Sequence, residues 1–243
     1  MTQAYELTAF WDARARSAEQ YAEDLLQLVR ALGATDARLA RWYIEDEPSG
    51  APIVTAEQIR DALLRGPETW EHGSVTYRAW TVQLVNDAPE GARVTIDVLV
   101  GIDRPSGVVW FPNRVGIRFW GPGAQDAFEE TRFVTSWLDI VVVVFEPDWA
   151  CVAPEEAMKT AYDDLLDGKP VVSWMLYLSP EYGGVAPLPP PSKVGAMRAG
   201  NVVITVGEWF DPKNPAHQAA AKAARQALEI QGKLRLRVTL VPD

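Results

Sequence analysis

The chain has 243 residues, 48% of them hydrophobic, enough for a sizeable core and an argument against wholesale disorder. Its 33 acidic and 23 basic residues leave a net charge of −10. That balance disfavours sequence-independent nucleic-acid binding and docking on anionic lipid, both driven by cationic residues, and favours a basic protein partner.

Cys151 is the only cysteine, so an internal disulfide is excluded and a reducing compartment is expected. Residues 1–20 lack the continuous apolar stretch of a signal peptide. The longest dense apolar run, Ile140–Phe145, is far short of a membrane span. A cytoplasmic protein with no membrane association follows. The length suits one domain over residues 1–243, divisible at most into halves 1–122 and 123–243.

In chain order, Ala4–Trp11 reads as a strand. Ser17 and Gln20 form a capping box for a helix with Tyr21, Leu25, Leu28 and Leu32 on one face, and Gly33 is its expected stop. Leu39–Ile44 reads as the strand that closes a strand–helix–strand unit. A second capping box, Thr55 and Gln58, starts a short helix that ends at Gly66-Pro67. Three strands follow, Ser74–Val85, Ala92–Val100 and Val108–Trp120, joined by turns as an antiparallel meander; a bulge near Ala79 would reconcile the first with strict alternation.

From Phe128 the spacing of Phe133, Trp137, Ile140 or Val141, and Val144 predicts a helix, against the β preference of four consecutive valines. Pro154 opens another, with Met158, Ala161 and Leu165 on one face and Gly168 as its stop. Val171–Leu178 is a strand, Leu188–Pro191 an extended connector and Val202–Val206 a strand. Asn214-Pro215 caps a helix to Ile230, Gly232 ends it, and Leu234–Val241 is the last strand. The fold class is α+β: a mixed or antiparallel sheet with helices mainly on one face, and two strand–helix–strand units flanking a β-meander.

Residues for a standard catalytic centre are missing. His72 and His217 are far apart in sequence, no ligand spacing suggests a metal, and no Gly-x-Ser-x-Gly elbow or phosphate loop occurs. No cofactor is expected. Cys151 reads as a small buried hydrophobe and His217 as a polar surface residue in the first turn of its helix. Glu208 with Asp211 is the one carboxylate pair worth weighing as acid and base, and exposed tryptophans among the ten could bind a glycan or small molecule. An acid/base hydrolase and a tryptophan-lined binding module are therefore the alternatives to a protein-binding, non-enzymatic role.

The charge is localised. Between Asp126 and Asp167 lie eleven acids: Asp126, Glu129, Glu130, Asp139, Glu146, Asp148, Glu155, Glu156, Asp163, Asp164 and Asp167. Only Arg132 and Lys159 oppose them, so this segment carries −9 of the −10. A solvated face is the plain explanation. Concentration of charge in one segment nonetheless marks Asp126, Glu129, Glu130, Asp139, Glu155, Glu156, Asp163, Asp164 and Asp167, with Glu45, Asp46 and Glu47, as candidate partner-binding residues.

Two stretches, Phe145-Glu-Pro-Asp-Trp-Ala150 and Gly168-Lys-Pro-Val-Val-Ser-Trp-Met-Leu-Tyr-Leu-Ser179, resemble the immunity protein 52 family of bacterial polymorphic-toxin and type VI secretion systems. Val203-Ile-Thr-Val, Phe210-Asp211, Asn214-Pro215-Ala-His217 and the terminal helix–strand continue the likeness, with Ser173 where a glycine is expected. The resemblance spans the second half and implies an antitoxin that neutralises a cognate toxin, often a nuclease. It also implies that Trp149, Trp174 and Tyr177 are structural. The oligomeric state stays open.

Overall fold

The computed structural model describes residues 3–45, 47, 50–72, 75–89, 92–102, 113–121, 131–161, 169–198 and 200–234. Its strands are β1 (Ala4–Trp11), β2 (Trp42–Ile44), β3 (Pro67–His72), β4 (Val75–Asn86), β5 (Thr95–Val100), β6 (Asn113–Trp120), β7 (Trp149–Pro154), β8 (Met175–Leu178), β9 (Lys193–Met197) and β10 (Gly200–Ile204). Its helices are α1 (Ala18–Thr35), α2 (Ala56–Arg65), α3 (Thr131–Phe145), α4 (Glu155–Thr160) and α5 (Pro215–Ile230). The sequence-predicted last strand, the turn at Asp103–Gly107, and Phe128, Leu165 and Gly168 lie outside the described residues.

All ten strands join one sheet in the order β2-β4-β5-β6-β1-β7-β8-β10-β9, with β3 beside β4. Every pairing is antiparallel. β1 is the seam: it pairs with β6 on one edge and β7 on the other. Its side chains serve two cores. Tyr5, Leu7, Ala9 and Trp11 face the main core, shared with α1, α2 and α3, while Phe10 points the other way into a smaller cluster with Trp149, Cys151, Met158 and Leu228. A strand buried on both faces alternates only loosely, as the sequence of β1 does.

The second face changes character at β1. One row across the sheet runs Val203, Leu176 and Cys151 to Thr8, then continues as Gly116, Asp97 and Gln83. The apolar side of this row belongs to the smaller cluster; on the polar side Arg114 and Arg118 are exposed.

Both predicted capping boxes are present, with Ser17 accepting from the Gln20 N–H and Thr55 from the Gln58 N–H. Gly33 does not stop α1. The helix continues to Thr35, and Asp36 ends it by adopting an extended backbone while its N–H still reaches Leu32 O. The glycine has another cause: a Cβ there would lie 2.9 Å from the carbonyl oxygen of Leu39, in the 3-10 turn Ala37–Leu39. That turn also shortens the next strand to Trp42–Ile44. β2 lies at the sheet edge beside β4, with three strands between it and β1, so the two strands of the first strand–helix–strand unit are not neighbours.

The meander β4–β5–β6 forms as expected, and the β3–β4 register steps one for one through Ala79, without a bulge. β3, β7 and β9 are additions to the sequence reading. β7 is buried at all six positions, and such a short apolar run carries no period by which to recognise it. Val171–Leu178 is a strand only over Met175–Leu178. In α3 the helix prevails over its valines because Val141, Val142 and Val144 are buried. Burying such a side chain is worth about 1.5–3 kcal/mol, against a propensity loss of at most about 0.7 kcal/mol per residue.

A glycine-to-alanine change inside a helix ordinarily stabilises by about 1 kcal/mol. Gly33→Ala is expected to do the reverse and lower stability by about 1–3 kcal/mol, because its methyl group meets backbone that has no room to move. Urea unfolding measures this; a stabilised variant would contradict the close approach.

Candidate partner-binding surface

Among the candidate residues, Asp46, Asp126, Glu129, Glu130, Asp163, Asp164 and Asp167 lie outside the described residues. The fold separates the others. Asp139 is on α3, which packs on the main core through Trp137, Leu138 and Val141. Glu155 and Glu156 begin α4, whose Met158 is buried in the smaller cluster on the opposite face of the sheet. Glu45 and Glu47 follow β2, five strand spacings from β7, or about 24 Å.

Several of these acids have local partners. Asp139 meets Arg198 through two contacts of 3.2 and 3.3 Å. Glu47 pairs with Arg65. Glu155 lies 2.9 Å from Lys159 and 3.7 Å from Arg118, and the Lys159 hydrogen bond holds its carboxyl below the usual range. Glu45 and Glu156 are exposed.

What the fold does bring together is a rim of carboxylates where α3 ends. Arg14, on the β1–α1 connection, donates to the carbonyls of Phe145 (2.8 Å) and Glu146 (2.6 Å), capping α3 with positive charge where the helix dipole favours it. The same guanidinium is 3.8 Å from Asp148, whose carboxylate also accepts the Asp12 N–H at 2.7 Å. Arg16 pairs with Asp24 on α1.

Glu23 and Glu146 act electrostatically on Asp24, as Asp12 and Glu181 do on Asp148. Burial, reinforced by these like charges, holds both Asp24 and Asp148 above the ordinary carboxylate range. Six acids thus surround two arginines. Glu146 and Asp148 belong to the acidic segment; Asp12, Glu23, Asp24 and Glu181 come from elsewhere, and linear charge counting carried no signal for them.

The rim continues along α3. Arg132, Ser136, Asp139, Val143 and Glu146 recur every three or four residues on its outer side, and Val143 is 41% exposed between the two acids. Glu146 sits at φ 47, in the left-handed region that glycine adopts freely and glutamate does not, and Pro147 follows it.

The residues behind the alternative readings have these places in the fold. Cys151 is fully buried, its sulfur 3.7 Å from that of Met158, and burial pushes its thiol pKa up, away from nucleophilic use. His217 corrects the expectation of a surface residue. It is 7% exposed, its Nδ1 accepts the Asp211 N–H at 3.0 Å, and Nε2 therefore carries the proton that faces Glu208 Oε1 at 3.0 Å.

Glu208 and Asp211 are both exposed and tied to their own loop, Asp211 through the Lys213 N–H. Trp11, Trp42, Trp137, Trp149 and Trp174 are buried to 2% exposure or less, filling the core instead of lining a groove. Among the described residues no cluster of His, Cys, Asp or Glu has metal-binding geometry, and no helix is long and apolar enough to cross a membrane.

Residues 126–237 match the family model described as Immunity protein 52, which bears out the resemblance of the second half. Comparison with curated proteins finds no match. Among solved structures, the Pseudomonas aeruginosa T6SS protein PA0821 aligns at a TM-score of 0.55 and 12% identity, covering 96% of this chain and 74% of that one. At that identity the likeness is one of fold, and it extends across both halves.

Two predictions follow from this geometry. Glu146→Gly is expected to raise stability by up to about 1 kcal/mol by relieving the left-handed backbone, measured by thermal or urea unfolding. Tyr5 donates to Phe210 O at 2.7 Å, and burial first, then Asp211, pushes its pKa up to about 12. The folded state therefore keeps this proton where the unfolded chain loses it, and stability falls as pH rises from about 10 to 12. Tyr5→Phe should cost about 1 kcal/mol at neutral pH and flatten that alkaline decline; an unchanged alkaline slope would refute the assignment.

Proposed function

We propose that this chain is an immunity protein that binds and neutralises a cognate bacterial toxin through the outer stripe of α3 and the carboxylate rim at its end. The observation that carries the reading is the match of residues 126–237 to the Immunity protein 52 family, because that segment contains α3, Glu146 and Asp148. An inhibitor needs a complementary surface and no chemistry, and a net charge of −10 suits a basic target.

A nuclease is the toxin class whose chemistry fits best. It presents arginine and lysine to phosphate, and a rim of six carboxylates around Arg14 and Arg16 offers that surface a competing partner. Delivery by a T6SS, the system named for the Pseudomonas aeruginosa structure, belongs to the same proposal. Asp126, Glu129, Glu130, Asp163, Asp164 and Asp167 join the proposal on their charge alone, as do Glu155 and Glu156.

The test is co-expression with candidate toxin domains encoded by neighbouring genes. The wild-type chain is expected to rescue growth and to form a complex whose association slows as salt is raised. Charge reversal at Glu23 and Glu146, both exposed, should reduce the association rate by about tenfold at low salt while leaving the melting temperature near wild type. Absence of rescue and of complex formation by the wild-type chain would remove the immunity role. Unchanged kinetics in the reversed variant would remove this surface and leave the role standing.

A further inference from the structure

The connection between β10 and α5, residues 205–214, is held more firmly than a link between two elements requires. Tyr5, from the far end of the chain, donates to Phe210 O across the aromatic cluster. Asp211 receives the Lys213 N–H on Oδ1, and Asn214 caps α5 by accepting the Ala216 N–H. His217, buried in the first turn of α5, closes the loop from inside by accepting the Asp211 N–H and donating to Glu208.

Two side chains are positioned by these bonds. Trp209 is half-buried, seated edge-on to Tyr5 at 5.1 Å and 4.8 Å from Trp174, with Phe119 at 6.3 Å. Glu208 is 77% exposed although His217 fixes one of its oxygens. Holding an exposed glutamate in place with a buried histidine gives the isolated molecule little, because a free carboxylate is well solvated. A carboxylate held still, one residue before a half-buried tryptophan, instead lowers the ordering cost of binding a cation.

We propose that Glu208 and Trp209 form a second contact for the toxin and that they receive an arginine side chain of that protein. A guanidinium is the group that uses both features: its plane stacks on an indole face while its N–H donors meet a carboxylate. Asp211 adds a second acid, so the loop carries Glu208 and Asp211 against Lys213 alone. The loop also reaches the core that α3 covers: Trp209 neighbours Phe119, which packs on Trp137, midway along that helix.

This inference rests on the immunity reading. Its test measures the affinity of the full chain for the toxin domain identified by the co-expression test, using Glu208→Gln and Trp209→Phe. The glutamine keeps an oxygen for His217 and removes only the charge; the phenylalanine keeps an aromatic ring on Tyr5 and Trp174. Each is expected to weaken binding at least about threefold, with melting temperature unchanged for Glu208→Gln. The double variant should lose less than the product of the two effects, since both side chains hold one guanidinium.

Glu208→Lys gives a larger loss, about tenfold or more, that shrinks as salt is raised. Affinity of Glu208→Gln within about twofold of wild type, in a chain that binds the toxin, overturns the second contact and leaves the immunity role intact. A wild-type chain that binds no toxin overturns both.

Discussion

β1 is the strand on which the rest of the structure depends. It carries a full hydrogen-bond ladder on both edges, joining a meander from the first half of the chain to β7 from the second. Its side chains enter both cores, and its two ends anchor the two proposed contact regions. At one end Tyr5 holds the loop before α5; at the other Trp11 stacks on Phe145, and the following residues supply Asp12 and Arg14 to the end of α3. A charge or proline placed in β1 would therefore disturb ladder, cores and surface together.

The surface follows from how α3 is terminated. A helix end needs partners for its last carbonyls, and here a guanidinium supplies them. Because Arg14 comes from a loop more than a hundred residues away in sequence, capping the helix also draws Asp12 and the start of α1 to the same corner. Acidic residues then gather around a cation whose first task is structural. This explains how Asp24 and Asp148 stay partly buried with raised pKa values: each has an arginine to offset the cost, and neither is fully compensated.

His217 illustrates the same economy at the other end. By sequence it is one of two histidines in the first turn of a helix, a position where a polar side chain usually faces water. In the fold it lies beneath the 208–211 loop and links a backbone N–H to a carboxylate, which fixes its tautomer. The motif Asn214-Pro215-Ala-His217, seen first as part of a family likeness, is thereby explained as a cap followed by a clamp.

The sequence by itself determined the local structure wherever a local interaction suffices. The two capping boxes and the Asn214-Pro215 cap depend on contacts within a few residues, while the meander and the helices α1, α3 and α5 are legible from turns and apolar spacing along the chain. The immunity-family likeness was legible in the aromatic and turn residues of the second half for the same reason. Tertiary structure decided the rest. It made β7 a central strand, gave Gly33 a close approach in place of a helix stop, and buried His217. It also set Asp139 and Glu155, members of one acidic segment, on opposite faces of the sheet. A count along the chain cannot register that separation, because β7 passes through the sheet between the two helices and carries the chain from one face to the other.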